Sequence, residues 1–118
     1  SVHARVWPGG SASRLAAGEA AQVTLAAGAS QVYAAWAEQA GRFRRIVVAR
    51  LALAADTLGV ETARPVEAKA PSDEQGWPAL AVAGDGSVTV AWEDRRDRHT
   101  VPLVSHSRDG RRFSPRPA

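Results

Sequence analysis

Residues 77–113, WPALAVAGDGSVTVAWEDRRDRHTVPLVSHSRDGRRF, decide the fold of this chain. Two short runs rich in apolar and β-branched residues, 78–83 and 88–93, flank a Gly-Asp-Gly-Ser cluster, and this arrangement predicts a β-hairpin. Residues 94–100 are mostly charged and predict a solvated loop. A third strand is predicted over 101–107, with a tight Asp-Gly turn after it. Three antiparallel strands joined by short turns form a meander.

Part of this stretch occurs twice in the chain. Trp92 aligns with Trp36 when the numbering is shifted by 56 (92 − 36 = 56), and other identical residues align without a gap. These further pairs are Ala27 and Ala83, Gly28 and Gly84, Val32 and Val88, Ala35 and Ala91, and Val48 and Val104. A period of ~50 residues with a repeated turn glycine and strand tryptophan predicts one four-stranded sheet per repeat.

The second repeat resembles the bacterial neuraminidase repeat, or Asp-box, of sialidase-like β-propellers. The matching residues are Pro78-Ala79, Asp85-Gly86, Val88, Val90-Ala91-Trp92, and then Ser107, Asp109, Gly110 and Phe113. The box is one residue shorter than the family pattern, and the first repeat lacks it. The resemblance implies an all-β fold of propeller blades, each an antiparallel four-stranded meander. Two blades in this chain would form an incomplete ring on their own.

The repeat divides the chain into three segments. Residues 1–13 are predicted to be the outer strand of a preceding blade or an N-terminal edge, residues 14–69 the first blade, and residues 70–118 the second blade with the start of the next strand. Residues 15–21 are predicted to form a loop. Because stacked sheets have apolar faces that need neighbours, the expected partners are other blades, from the same parent protein or from a homo-oligomer.

Composition and charge favour no other class of partner. Residues 1–59 carry six arginines against three acids (6 − 3 = +3), whereas residues 60–118 carry nine basic and nine acidic residues (9 − 9 = 0). The basic clusters of the second half are therefore matched by carboxylates, and no nucleic-acid interface is predicted. No apolar run approaches the ~18 residues of a membrane span. Localisation stays open, with a periplasmic or secreted site favoured.

The sequence also predicts no cofactor. There is no cysteine, so neither disulfides nor thiolate chemistry is available. The three histidines, His3, His99 and His106, show no metal-ligand spacing.

Two sets of residues are predicted to be structural. Trp36 and Trp92 each share a strand face with apolar neighbours and are expected in the core. The second set is the Asp-box-like turn, namely Ser107, Asp109, Gly110 and Phe113. The resemblance implies that the carboxylate of this turn caps backbone N–H groups and that the aromatic ring packs between strands.

Four residues are candidates for ligand binding. Trp77 follows a glycine in a predicted loop and is a candidate platform for stacking a sugar ring. Asp94, Arg95 and Arg96 follow a predicted second strand, at a rim position from which they could contact an anionic ligand.

Catalytic residues are not predicted within this chain. Sialidase chemistry needs an arginine cluster, an acid and a tyrosine nucleophile, and the single tyrosine, Tyr33, lies in the middle of a predicted strand. The favoured hypothesis is a binding or scaffold segment of a sialidase-like propeller. One alternative is part of a glycoside hydrolase whose catalytic residues lie mostly outside this chain. Another is a subunit of an oligomeric propeller lectin that binds carbohydrate.

Overall fold

The computed structural model describes residues 2–5, 12–16, 19–28, 31–54, 57–67, 73–96, 98–110, 112–113 and 116–117. The strands are β1 (Val2–Arg5), β2 (Ala12–Ala16), β3 (Ala20–Ala27), β4 (Val32–Ala40), β5 (Phe43–Ala54), β6 (Thr57–Pro65), β7 (Gln75–Val82), β8 (Val88–Arg96), β9 (His99–Ser107) and β10 (Arg116–Pro117). Within these ranges there is no helix, and hence none long and apolar enough to cross a membrane.

The strands form two antiparallel meanders and a separate hairpin. The first sheet has the order β3-β4-β5-β6. The second sheet consists of β7, β8 and β9, and the short strand β10 extends it beside β9. Strands β1 and β2 pair only with each other in the described part of the chain. The prediction of an all-β fold built from antiparallel meanders is confirmed.

The central strands of both sheets pair in the same register. Val32 pairs with Leu51 across β4 and β5, and Val88 pairs with Ser107 across β8 and β9. Adding 56 to the number of each residue in the first pair produces the second (32 + 56 = 88; 51 + 56 = 107). A one-residue slip would move every side chain to the opposite face, so the shared register places equivalent residues on equivalent faces.

The first strand of each sheet carries a β-bulge at an equivalent position. The bulge of β3 contains Gln22 and that of β7 contains Trp77, so the two are separated by nearly the same interval as Trp36 and Trp92. Both residues have positive φ, 59° for Gln22 and 54° for Trp77. This conformation is uncommon for a residue other than glycine, and its presence in both sheets shows that the bulge belongs to the repeat.

A backbone hydrogen bond beside each bulge is repeated as well. The Gln39 N–H donates to the Glu19 carbonyl over 3.0 Å, and the Arg95 N–H donates to the Glu74 carbonyl over 2.9 Å. The two donors differ in number by 56 and the two acceptors by 55 (95 − 39 = 56; 74 − 19 = 55). The repeat therefore includes the segment that leads into the first strand of each sheet.

The two sheets pack face to face, with β7 against β3, β4 and β5 of the first sheet. Apolar side chains from both sheets bury one another in this interface. They include Tyr33, Ala35, Ala37, Ile46 and Val48 from the first sheet and Val88, Val90, Trp92 and Leu103 from the second. Each Å2 of apolar surface buried in this interface stabilises the contact by ~25 cal/mol.

The opposite face of the first sheet has its own apolar cluster. This cluster contains Ala34, Trp36, Val47, Ala49 and Leu51. Strand β1 contacts both outer strands of the sheet, β3 and β6, and β2 contacts β6. The first sheet therefore has buried apolar side chains on both faces.

The prediction of a loop over residues 15–21 is wrong. Strand β2 extends to Ala16 and β3 begins at Ala20. Alanine is less common in strands than β-branched and aromatic residues are, but pairing with neighbouring strands overrides this local preference. The predicted segment boundary after residue 13 falls within β2, and the one after residue 69 lies outside the described residues, between β6 and β7.

The prediction of a solvated loop over residues 94–100 is also wrong. Strand β8 continues to Arg96 and β9 begins at His99. Asp94 pairs with Val101 and Arg95 with Thr100 in the ladder. Charged residues remain in strand conformation here because alternate side chains point to opposite faces of the sheet.

The turn between β7 and β8 contains a carboxylate that we expect to titrate at unusually low pH. The Ser87 hydroxyl and the Ser87 N–H both donate to Asp85 Oδ1, over 2.6 and 2.9 Å. The side-chain bond first, then the backbone bond, lowers the pKa of Asp85 from its ordinary value of 3.8. Carboxyl chemical shifts followed against pH should show this lowered pKa, and Ser87→Ala should raise it.

The lowered pKa of Asp85 makes the stability of the folded state depend on pH. The folded state favours the ionised carboxylate. The stabilisation that Asp85 contributes to the fold is therefore present above the ordinary pKa and is lost as the pH falls through the lower, folded-state pKa. An Asp85 carboxyl that titrates at or above 3.8 in the unmodified protein would contradict the hydrogen bonds described.

Candidate functional site

A cleft of about 160 Å3 opens where the two sheets meet, beside the bulge of β7. The first sheet contributes Gln22 to its wall. The second sheet and the segment leading into it contribute the rest, namely Glu74, Gln75, Gly76, Trp77, Glu93, Arg95 and Thr100. We refer to this set of residues as the bulge cleft.

The side chain of Gln22 connects the two bulges. Its Oε1 accepts a hydrogen bond from the Trp77 N–H over 2.7 Å. A Cβ atom at Gly76 would lie 2.9 Å from the same oxygen, closer than side-chain atoms normally approach. The glycine therefore leaves room for the amide, and one side chain of the first sheet holds the backbone of the second.

The other end of the cleft wall is held by two side chains that bond to backbone. Glu74 Oε1 accepts from the Arg44 N–H over 2.9 Å, and Gln75 Oε1 accepts from the Ile46 N–H over 3.0 Å. Both donors belong to β5 and lie past its last residue pair with β6. These side chains take the place of the missing strand partner, which satisfies the backbone and fixes the start of β7.

Asp94 lies behind this wall instead of at an exposed rim. The residue is 5% exposed, and its Oδ2 accepts from Gln75 Nε2 over 3.1 Å. Gln75 thus bonds to Asp94 with one end of its amide and to the first sheet with the other. In this position Asp94 orients a cleft residue and does not itself face a ligand.

Two of the four predicted ligand-binding residues meet in the cleft. Trp77 is 66% exposed, and Arg95 is exposed on the same side. Arg96 ends β8, and its side chain lies outside the described part of the molecule.

The charged groups of the cleft are of both signs. Two carboxylates, Glu74 and Glu93, oppose one guanidinium, Arg95, so the formal charge is −1 (1 − 2 = −1). This balance opposes the prediction that the site holds an anion. In the described ranges no three His, Asp or Glu side chains are grouped closely enough to hold a metal ion.

Sequence reasoning missed Gln22, although a signal for it exists. The gap-free alignment of the two repeats pairs Trp77 with Ala21, because the connection between β3 and β4 is shorter by one position than that between β7 and β8. A single gap in that connection would align Trp77 with Gln22 and reveal the shared bulge position. Glu74, Glu93 and Thr100 carry no comparable signal.

The residues predicted to be structural do not line the cleft. Trp36 is 1% and Trp92 2% exposed, so neither indole offers a face for stacking. Asp109 Oδ1 accepts from Ser107 Oγ over 3.1 Å and from the Arg112 N–H over 3.2 Å, which closes the Asp-box-like turn.

The two remaining residues of that turn contact the interface between the sheets. The Phe113 ring packs on the apolar cluster between them. Gly110 is buried against Tyr33.

No family model matches this chain, and neither a curated protein nor a solved structure does. The resemblance to Asp-box propellers therefore stays a prediction from the residues of the second repeat.

Proposed function

We propose that this chain is a binding or scaffold segment of a sialidase-like β-propeller, made of two consecutive blades and completed by further blades. The register that the two sheets share carries the proposal. Repeats of one sheet that stack face to face are the construction principle of propellers and other repeat proteins.

The outer face of the second sheet supports the need for a further blade. Adding 56 to the numbers of the buried residues in the first sheet identifies the equivalent positions. Tyr33, Ala35, Ala37, Ile46 and Val48 correspond to Thr89, Ala91, Glu93, Pro102 and Val104. The first set is buried by the second sheet, whereas the second set is half-buried or exposed. A third sheet in the same relation would cover this face.

Hydrolysis is not part of the proposal. Tyr33 is fully buried between the sheets, so its hydroxyl cannot reach a sugar substrate. A role as lectin subunit differs from the proposal only in the source of the further blades, which would be other copies of the chain.

Cysteine labelling in the native full-length protein tests the stacking. This sequence has no cysteine of its own, so an introduced thiol is the single labelling site within it, and the unmodified protein gives the background. Pro102 is exposed on the outer face, although its equivalent Ile46 is fully buried. We expect Pro102→Cys to react with a soluble maleimide about tenfold or more slowly than a freely exposed thiol, because a further sheet covers it.

Arg108→Cys is the matched control, because Arg108 is exposed in the turn that follows β9. Equal labelling rates at positions 102 and 108 would show that the outer face stays in solvent and would refute the proposed stack. Solution mass then separates the sources of the further blades, since a ring of copies has a multiple of the chain mass and a single longer polypeptide does not.

A further inference from the structure

We propose that the outer face of the second sheet is covered by a further sheet of the same polypeptide, and that this sheet brings a basic side chain to Glu93. The inference rests on the further blade proposed above and names the chemistry of its contact. It is carried by the repeat, which relates the outer face to an interface already formed within the chain.

Glu93 lies at a position where the first sheet has an alanine. Its equivalent is Ala37 (93 − 56 = 37), which is 0% exposed in the interface between the two sheets. A further sheet in the same relation would therefore bury Glu93, which is exposed and has no ion-pair partner among the described residues. Because a buried carboxylate without a partner is strongly unfavourable, the covering sheet has to supply that partner.

Arg95 does not supply it. Arg95 shares the strand face of Glu93, but its equivalent is Gln39 (95 − 56 = 39), which stays exposed although the two sheets are stacked. The guanidinium of Arg95 is therefore expected at the rim of the covered face, where an ion pair in solvent contributes little.

The repeat indicates which position of the covering sheet carries the basic residue. Val101 of the second sheet packs against the apolar cluster that contains Ala37. The equivalent of Val101 in the first sheet is Arg45 (101 − 56 = 45), whose Nε is buried without a partner among the described residues. This position of the repeat thus accepts a basic residue. In the covering sheet, a basic residue there would face Glu93.

The outer face also lacks a hydrogen bond that joins the two sheets of this chain. The Ile46 N–H donates to Gln75 Oε1 over 3.0 Å. The equivalent of Ile46 is Pro102 (46 + 56 = 102), which has no N–H to donate. The charged contact at Glu93 therefore has a larger share in holding the covering sheet.

A second copy of the chain is not the expected covering sheet. It would dock through the first-sheet face that carries Arg45, because this face is the equivalent of the one with which the second sheet packs on the first. The apolar side chains of that face are already buried within the chain, with Trp36 1%, Ala49 0% and Leu51 4% exposed. Docking through it would bury little further apolar surface.

A thiol at position 89 of the native full-length protein tests the proposal. Thr89 lies on the outer face, and its equivalent Tyr33 is 0% exposed (89 − 56 = 33). Thr89 is four positions from Glu93 (93 − 89 = 4), or about 13 Å along a strand. At physiological salt, charges are screened over ~8 Å, so a change at Glu93 has little direct effect on the thiol. We expect Thr89→Cys to be protected from a soluble maleimide.

Glu93→Lys, added to Thr89→Cys, should raise the labelling rate about tenfold or more, because it opposes two positive charges in a buried contact. Glu93→Ala should raise the rate as well, since the basic residue is then left unpaired. If the covering sheet had no basic residue, alanine would instead reproduce Ala37 and labelling would become slower. Glu61→Lys is the control, because Glu61 is an exposed carboxylate of the first sheet, paired with Arg50 at the surface, and its loss should leave labelling unchanged.

Unchanged or slower labelling in either Glu93 variant would overturn the assignment of a basic partner. A thiol at position 89 that reacts as fast as a freely exposed one before Glu93 is changed would refute the further blade itself, which is a separate failure. Protection that is lost on about hundredfold dilution would identify a second copy as the covering sheet, because only association between chains depends on concentration. That result would overturn the assignment to the same polypeptide.

Discussion

Trp92→Ala is expected to lower the free energy of unfolding by about 3–5 kcal/mol, as large aromatic deletions in cores do. Trp92 lies in the apolar interface between the two sheets and is 2% exposed. Removing the indole leaves a cavity that Val90 and Leu103 from the same sheet cannot fill without moving. Urea denaturation followed by far-ultraviolet circular dichroism measures the loss.

Trp77→Ala is the matched control, because it is the same substitution at a tryptophan that is 66% exposed. Its effect should stay within about 1 kcal/mol. If Trp92→Ala does not fold, Trp92→Phe keeps most of the volume and removes an indole N–H that has no partner among the described residues. Equal losses at positions 92 and 77 would contradict the packing of the second sheet on the first.

Gly110→Ala is expected to cost about 2–5 kcal/mol, the sum of a backbone and a steric contribution. The residue has φ of 71°, where a side chain costs about 1–2 kcal/mol. An added Cβ would also meet the Tyr33 ring, at 2.7 Å from Cε1 and 2.9 Å from Cζ and nearer still to the hydroxyl. Forcing an atom into such a packed site costs a further ~1–3 kcal/mol. Urea denaturation is again the measurement.

Gly41→Ala separates the two contributions to that cost. Gly41 has φ of 68°, but an added Cβ would have no atom within 4 Å. Its substitution should therefore cost only the backbone contribution of about 1–2 kcal/mol. In the double variant Gly110→Ala with Tyr33→Phe, part of the steric cost should be recovered, so that the effects are not additive. Equal costs at Gly41 and Gly110 would show that Tyr33 does not pack against the turn.

Turns and strand centres could be predicted from residues close together in the sequence. The Gly-Asp-Gly-Ser cluster marks the connection between β7 and β8, where Asp85 bonds to Ser87. The repeated tryptophans, Trp36 and Trp92, mark the centres of β4 and β8 at one offset. These features depend on residues close in sequence, so pattern and turn chemistry are sufficient to find them.

Only part of the candidate site could be predicted from the sequence. Trp77 and Arg95 were predicted to bind a ligand, and both line the bulge cleft. Asp94 was expected beside them, yet it is buried, because its side chain lies on the opposite strand face from those of Glu93 and Arg95. Whether a charged residue faces solvent or a neighbouring sheet depends on register, which composition does not reveal.

Sequence alone determined that this chain is all-β, that it contains a repeat relating Trp36 to Trp92, and where its main strands have their centres. Tertiary structure decided the rest: the continuation of β8 through Asp94, the bulges at Gln22 and Trp77, and the cleft between the sheets. The reason is distance along the chain. The hydrogen bond that joins Gln22 to Trp77 connects two distant parts of the sequence, and such contacts form only when one sheet stacks on another.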